Sequence, residues 1–113
     1  MKVAVVGSRS LDDTHFPLLE KYIPPGVSEI ISGGASGADK LAERFADEEN
    51  LLLTIIRPDY KTYERMAPLI RNGEIVEKSD FTLILWDGSS RGSLNVIMTC
   101  IKINKPFRVI LVR

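Results

Sequence analysis

The chain has 113 residues, the size of one domain, and its 15 basic side chains balance its 15 acidic ones. This neutral balance predicts no overall field for a nucleic-acid backbone or an anionic membrane, and it speaks against both as partners. The lone cysteine, Cys100, excludes an internal disulfide and fits a reducing compartment. The first apolar run, residues 3–6, is too short for a signal sequence or a membrane span, so we expect a cytoplasmic protein.

Taken in chain order, apolar segments predict five strands, at residues 3–6, 28–32, 51–56, 80–86 and 107–112. The run of residues 3–6 has no polar alternation, which is typical of a parallel strand that is covered on both faces. Between them, apolar residues at helical spacing predict four helices. The helices lie at about residues 12–23, 38–50, 68–78 and 94–105. Residues 57–67 have no clean period and are expected to form a polar, tyrosine-bearing connection.

Five strands alternating with four helices predict an α/β fold with right-handed crossovers. We expect a single nucleotide-binding domain over residues 1–113, built as a Rossmann-like three-layer sandwich. Its five-stranded parallel sheet should have the order 3-2-1-4-5, with helices on both faces. With strand 1 in the centre, three loops of small or polar residues (7–10, 33–39 and 87–93) meet at the carboxyl ends of the strands, where such sheets bind ligands.

The stretch of residues 28–39 is predicted to bind an anion. A short strand runs into Gly33 and Gly34, Gly37 follows, and a run of helix formers begins at Ala38. Strand, glycine turn and helix in succession would aim backbone N–H groups and the positive end of a helix at one point, which suits phosphate. The alternative is that the glycines only make tight turns. We favour that alternative for one such loop, but not for three at the same edge.

The candidate ligand residues are glycines that permit close approach, hydroxyls that form hydrogen bonds, and charged or amide side chains near the same edge. They are Gly7, Ser8, Arg9, Gly33, Gly34, Ala35, Ser36, Gly37, Asp39, Arg71, Asn72, Asp87, Gly88, Ser89, Gly92 and Ser93. Arg91 can add fixed positive charge. Asp39 is either a helix-capping residue or an acceptor for a ribose hydroxyl or a ligand amine, whereas Asp87 is more suited to face the site. Both carboxylates are also candidates for catalysis.

Familiar catalytic signatures are missing. Gly33-Gly34-x-x-Gly37 is not the G-x-G-x-x-G of dinucleotide enzymes, and no G-K-[S/T] follows, so it is not a P-loop either. His15, the one histidine, lies near the start of the first helix and gives a serine–histidine triad little support. One histidine and one cysteine exclude an ordinary zinc site, and we expect no metal centre.

Three aromatic residues near the predicted site have two interpretations each. Trp86 ends a strand and either belongs to the core, which we favour, or stacks on a base. Tyr60 and Tyr63 either cover a ligand or are surface aromatics on the connection between the third strand and the third helix.

Read in sequence, these loops resemble the YspA group of the SLOG superfamily. The resemblance is carried by Val6-Gly-Ser-Arg9, Ile31-Ser-Gly-Gly-Ala-Ser-Gly-Ala-Asp39, Leu41-Ala-Glu43, Arg71-Asn72 and Trp86-Asp-Gly-Ser-Ser-Arg-Gly-Ser93. That superfamily is Rossmann-like and includes the DNA-processing protein DprA and the LOG cytokinin-activating phosphoribohydrolases. The resemblance implies a sensor or processing module that binds a nucleotide or a nucleotide-derived phosphate ligand, and it implies a homodimer.

The chain departs from the LOG pattern P-G-G-x-G-T-x-x-E, whose glutamate assists glycosidic cleavage. The corresponding run begins at Asp87, and the glutamate position falls at Val96, which cannot transfer a proton. We therefore expect nucleotide binding first. One alternative is an N-glycosidic hydrolase of nucleoside monophosphates that uses Asp39 or Asp87 instead. The other is a DprA-like DNA-binding module, against which the neutral charge counts. The sequence leaves open whether Mg²⁺ accompanies the nucleotide.

Overall fold

One parallel sheet of five strands forms the centre of the protein. A computed structural model describes residues 1–112; Arg113, the last residue of the predicted domain, lies outside the described residues. The strands are β1 (Lys2–Gly7), β2 (Glu29–Ser32), β3 (Leu52–Ile55), β4 (Phe81–Trp86) and β5 (Phe107–Leu111). Their order is β3-β2-β1-β4-β5, and every neighbouring pair is parallel. The predicted fold class and strand order are confirmed.

The helices follow the predicted pattern with one addition. They are α1 (Phe16–Tyr22), α2 (Ala38–Glu48), α3 (Tyr60–Tyr63), α4 (Ala67–Lys78) and α5 (Arg91–Lys102). The polar, tyrosine-bearing connection over residues 57–67 contains α3 and a 3-10 turn at Glu64–Met66, neither of which the sequence pattern indicates. The Asp59 side chain starts α3 by accepting a hydrogen bond from the Thr62 amide. None of the helices within residues 1–112 is long and apolar enough to cross a membrane.

Helices cover both faces of the sheet, as the unbroken apolar strands predict. Consecutive residues of β1 alternate between two buried clusters. Val3 and Val5 pack in the cluster that contains α1 and α2, whereas Ala4 and Val6 pack in the cluster that contains α4 and α5. All four side chains are buried, so β1 has no face for polar residues.

The loops after β1, β2 and β4 are joined at Ser8, the first residue beyond β1. The Ser8 amide donates to the Leu85 carbonyl oxygen (3.0 Å), and the Ser8 carbonyl oxygen accepts from the Ala38 amide (3.2 Å). The Ser8 hydroxyl accepts from the Asp87 amide (2.9 Å). Two of these bonds reach the end of β4 and the loop after it, and the third reaches the start of α2. The three loops therefore lie side by side at one edge of the sheet.

Gly37 permits this close approach at the start of α2. Its φ is +73°, in the region that favours glycine, and a Cβ at this position would overlap the Ser8 carbonyl oxygen and the Arg9 backbone. The loop after β2 can therefore meet the loop after β1 only if residue 37 lacks a side chain.

We predict that Gly37→Ala lowers the free energy of unfolding by about 1–3 kcal/mol, since it combines a strained φ with a backbone overlap. Gly73→Ala is the matched control. Residue 73 lies inside α4, a Cβ there meets nothing within 4 Å, and alanine should stabilise the helix by about 0.5–1 kcal/mol. Denaturant unfolding of both variants measures this. Equal midpoints for the two variants would contradict the close approach.

Candidate functional site

A cleft of about 650 Å³ lies at the carboxyl ends of β1, β2 and β4. We call it the cleft. The loops after these strands form part of its wall, and the N-terminal halves of α4 and α5, with Arg65 of the 3-10 turn before α4, form most of the rest. Ten of the predicted ligand residues line it: Gly7, Arg9, Gly33, Ala35, Asp39, Arg71, Asn72, Asp87, Gly92 and Ser93. The structure therefore brings residues from four separate segments of the sequence to one surface.

A second hollow of about 370 Å³ adjoins the cleft. Two further predicted residues, Gly34 and Ser36, line it together with Arg57, Pro58 and Tyr60. The two cavities share a wall, which consists of Arg9, Gly33, Ala35 and Arg71.

Four predicted ligand residues line neither cavity: Ser8, Gly37, Gly88 and Ser89. Ser8 is fully buried, and its hydroxyl holds the loop after β4 instead of facing a ligand. Gly37 packs against the backbone of the first loop. These two positions were predicted from residue type, but the structure gives them a role in joining the loops.

Two of the amide donors predicted for the glycine turn are paired within the turn itself. The Gly34 amide donates to the Ser32 hydroxyl (3.4 Å), and the Ala35 amide donates to the Asp39 carboxylate (3.0 Å). Both donors are therefore used within the turn. Asp39 is 7% exposed, and its carboxylate braces the glycine turn from the first turn of α2 without capping that helix.

The carbonyl oxygens of the same turn are held by two arginines. Arg71 Nη1 donates to the Gly33 oxygen (2.8 Å), and Arg57 Nη1 donates to the Gly34 oxygen (3.3 Å). A Cβ on Gly33 or Gly34 would overlap the guanidinium that holds it, so the arginine would have to shift. The two guanidinium groups place positive charge at the turn.

A short network fixes Arg71. Its Nε donates to the Asn72 side-chain oxygen (3.0 Å), and the Asn72 amide group donates to the Asn95 side-chain oxygen (3.0 Å). Burial lowers the pKa of Arg71, while Asp39 and Tyr60 nearby raise it. The guanidinium remains charged at neutral pH, so it places a fixed cation on the wall that both cavities share.

The start of α5 supplies further backbone donors. The Ser90 hydroxyl caps the helix by accepting from the Ser93 amide (3.4 Å). Within residues 1–112 the amides of Arg91 and Gly92 have no acceptor, and both residues line the cleft. The positive end of a 12-residue helix thus faces the cavity.

Asp87 shapes the loop before α5. One carboxylate oxygen accepts from the amides of Ser89 and Ser90, both at 2.9 Å. These backbone hydrogen bonds lower the pKa of Asp87. The indole N–H of Trp86 donates to the Ser90 carbonyl oxygen (3.0 Å). The Trp86 ring packs against the cluster beneath α4 and α5, which confirms the core interpretation of Trp86.

Arginine is the basic residue of both cavities. Arg9, Arg57, Arg65, Arg71 and Arg91 line one or both of them, and no lysine does. Two aspartates, Asp39 and Asp87, oppose these five arginines. The surface therefore carries an excess of positive charge although the whole chain has a net charge of zero. Sequence reasoning missed Arg57 and Arg65, because both lie in the connection that has no recognisable period.

The LOG-type glutamate position lies on the cleft wall. Val96 is 2% exposed and lines the cavity, so the position is correctly placed but carries no carboxylate. Among residues 1–112, no three histidine, cysteine, aspartate or glutamate side chains are grouped so that they could hold a metal ion.

The sequence matches no protein-family model, and a search of curated proteins gave no match. Among solved structures, the fold is similar to that of DNA processing protein A from Helicobacter pylori, which was described for its unique mode of single-stranded DNA binding. The TM-score is 0.75 at 23% sequence identity. The similarity covers 100% of this chain and 66% of that chain, so this chain spans just under two thirds of its length. The two proteins share a Rossmann-like fold.

The expectation that nucleic acid is an unlikely partner is contradicted by the protein with the similar fold. It rested on the net charge of the chain, and the protein with the similar fold binds single-stranded DNA. The physical reason is local. A net charge of zero says nothing about how the charges are distributed, and here five arginines gather around two adjoining cavities.

We predict that Asp39→Asn gains stability relative to the unaltered protein as the pH rises from about 4 to neutral. Burial raises the pKa of Asp39 above its unfolded value of 3.8, so its contribution to stability is full below that value and is lost as the pH rises through the folded pKa. Asparagine keeps an acceptor for the Ala35 amide without a buried charge. Thermal unfolding of both proteins across this range measures the difference. If the variant is instead less stable than the unaltered protein at neutral pH, the attraction between Asp39 and Arg71 outweighs the cost of burying the carboxylate.

Proposed function

We propose that the cleft binds the phosphate backbone of single-stranded DNA. The observation that carries this proposal is the group of five arginines around the cleft and the second hollow. Phosphate contacts supply most of the sequence-independent affinity for nucleic acid, and the planar guanidinium matches phosphate geometry. The fold similarity to a protein described as binding single-stranded DNA supports the same partner.

Three of these arginines are free to contact a ligand. Within residues 1–112 the guanidinium groups of Arg9, Arg65 and Arg91 donate to no protein acceptor and form no ion pair. Arg57 and Arg71 each use one donor on the glycine turn and keep others. A single strand that passes from the cleft into the second hollow would meet free and fixed cations in turn.

We further propose that residues 1–113 form one nucleotide-binding domain of the YspA-related group of the SLOG superfamily. The motifs that carry this resemblance are far apart in the sequence. Val6 lies near the end of β1 and Arg9 in the loop after it, Arg71 and Asn72 lie in the second turn of α4, and Ser93 lies in the first turn of α5, yet all line the cleft. A motif set that converges on one surface supports a binding role for that surface.

The second candidate is a free nucleotide or nucleotide-derived phosphate ligand. The start of α5 favours it, because the unpaired amides of Arg91 and Gly92 suit the compact charge of a terminal phosphate. Mg²⁺ at this site would accompany the phosphates of the nucleotide, and each aspartate of the cleft keeps one carboxylate oxygen that is not bonded to a backbone amide.

The hydrolase alternative has no carboxylate at residue 96, and Asp39 and Asp87 both act within their loops. We predict that nucleoside monophosphates incubated with the protein release no free base, as measured by chromatography. Release of base would instead assign general-acid chemistry to Asp39, whose pKa is raised by burial, and Asp39→Asn would abolish it.

The DNA proposal is tested by fluorescence anisotropy with a labelled oligothymidylate. We predict that Arg65→Ala and Arg91→Ala each lower its affinity about tenfold, because each removes a charged contact to phosphate. Each should also reduce the slope of log affinity against log salt by about 0.7. Arg108→Ala is the control, since Arg108 lies over the ring of Tyr22, outside both cavities.

Two results would overturn the DNA proposal. One is the absence of salt-dependent binding by the unaltered protein. The other is an equal loss in all three variants, which would mean that arginines anywhere on the surface contribute alike. Binding of thymidine monophosphate without binding of the oligonucleotide would leave the free-nucleotide candidate in its place.

A further inference from the structure

We propose that the second hollow is a base-binding subsite, in which Tyr60 stacks on the base of a nucleotide whose phosphate lies on the shared wall with the cleft. This inference rests on the proposed function, because it takes the cleft as the phosphate site. It adds a chemical class of contact, stacking on the base, that the phosphate contacts do not provide.

The shared wall sets the geometry. Arg9 and Arg71 line both cavities, so a phosphate held between them has the cleft on one side and the second hollow on the other. The second hollow, at about 370 Å³, can enclose one base with part of its sugar.

The lining of the second hollow suits the flat face of a base. Tyr60 is 57% exposed and stands beside Pro58, which adds a rigid apolar surface. Arg57 contributes a second flat group, and its bond to the Gly34 carbonyl oxygen holds it in place. Aromatic rings and guanidinium planes are the two side-chain surfaces on which nucleic-acid bases stack, and every base has a face that fits them.

Tyr60 is also held in position. It is the first residue of α3, and the Asp59 side chain caps that short helix through the Thr62 amide at 3.1 Å. Tyr60 and Arg71 line the same hollow. An aromatic ring on a capped helix is therefore present in the cavity that the phosphate-binding arginine also borders.

The same helix provides an internal control. Tyr63 is 43% exposed and lies at the other end of α3, but it lines neither cavity. If surface exposure alone explained the two tyrosines, the loss of either would affect binding equally. The proposal predicts that only Tyr60 matters.

The test compares an oligothymidylate with an abasic oligonucleotide of the same length, by fluorescence anisotropy. We expect the unaltered protein to prefer the oligothymidylate, and Tyr60→Ala to bind it about tenfold more weakly while its affinity for the abasic strand stays unchanged. Tyr60→Phe, which keeps the ring, and Tyr63→Ala should both behave like the unaltered protein. Thermal unfolding of each variant verifies that α3 is intact.

Stacking is overturned if Tyr60→Ala retains full affinity for the oligothymidylate, if it loses affinity for both strands alike, or if the unaltered protein does not distinguish them. If the protein binds neither strand, the DNA proposal is overturned. The subsite is then tested by calorimetry, which compares the affinities for thymidine monophosphate and deoxyribose 5-phosphate. A preference for the nucleotide that Tyr60→Ala abolishes supports the subsite for a free nucleotide. The absence of such a preference overturns the subsite.

Discussion

The three hydrogen bonds of Ser8 are the constraint on which the rest of the structure depends. Through its amide, carbonyl and hydroxyl groups, one buried residue joins the end of β4, the start of α2 and the loop before α5. Gly37 makes the contact possible by leaving space for the Ser8 carbonyl oxygen. Because buried backbone groups must be paired, these bonds fix the loops relative to one another, and the cleft is the space that remains between them.

The fold could be predicted from the sequence because its signals are local and mutually consistent. The apolar run of β1 alternates between two clusters, which is possible only for a central strand with helices on both faces. Pro68 correctly marked the first turn of α4. The exception is α3, a single turn whose start depends on the Asp59 side chain and which is too short to show a period.

The candidate site could be predicted only in part, for a physical reason. The glycine loops are visible as motifs, and they do border the cavities. The position of the arginines at the site cannot be recognised from a local motif, because their partners are distant in the sequence. Arg71 donates to a carbonyl oxygen 38 positions away and Arg57 donates to one 23 positions away. Composition could not reveal the arginine group either, because acidic residues elsewhere cancel it in the net charge. Ser8 shows the reverse error, as a residue of the right type that serves the fold.

The central claim is that the arginine-lined cleft, and no other surface, binds the backbone of single-stranded DNA. The most direct measurement is a titration of ¹⁵N-labelled protein with oligothymidylate, followed by NMR through the backbone amides and the arginine Nε–H groups. The account predicts that the largest shifts fall on Gly92 and on the Nε–H groups of Arg9, Arg65 and Arg91. Shifts that map to the outer faces of α1 and α2, or none at all at saturating oligonucleotide, would contradict it.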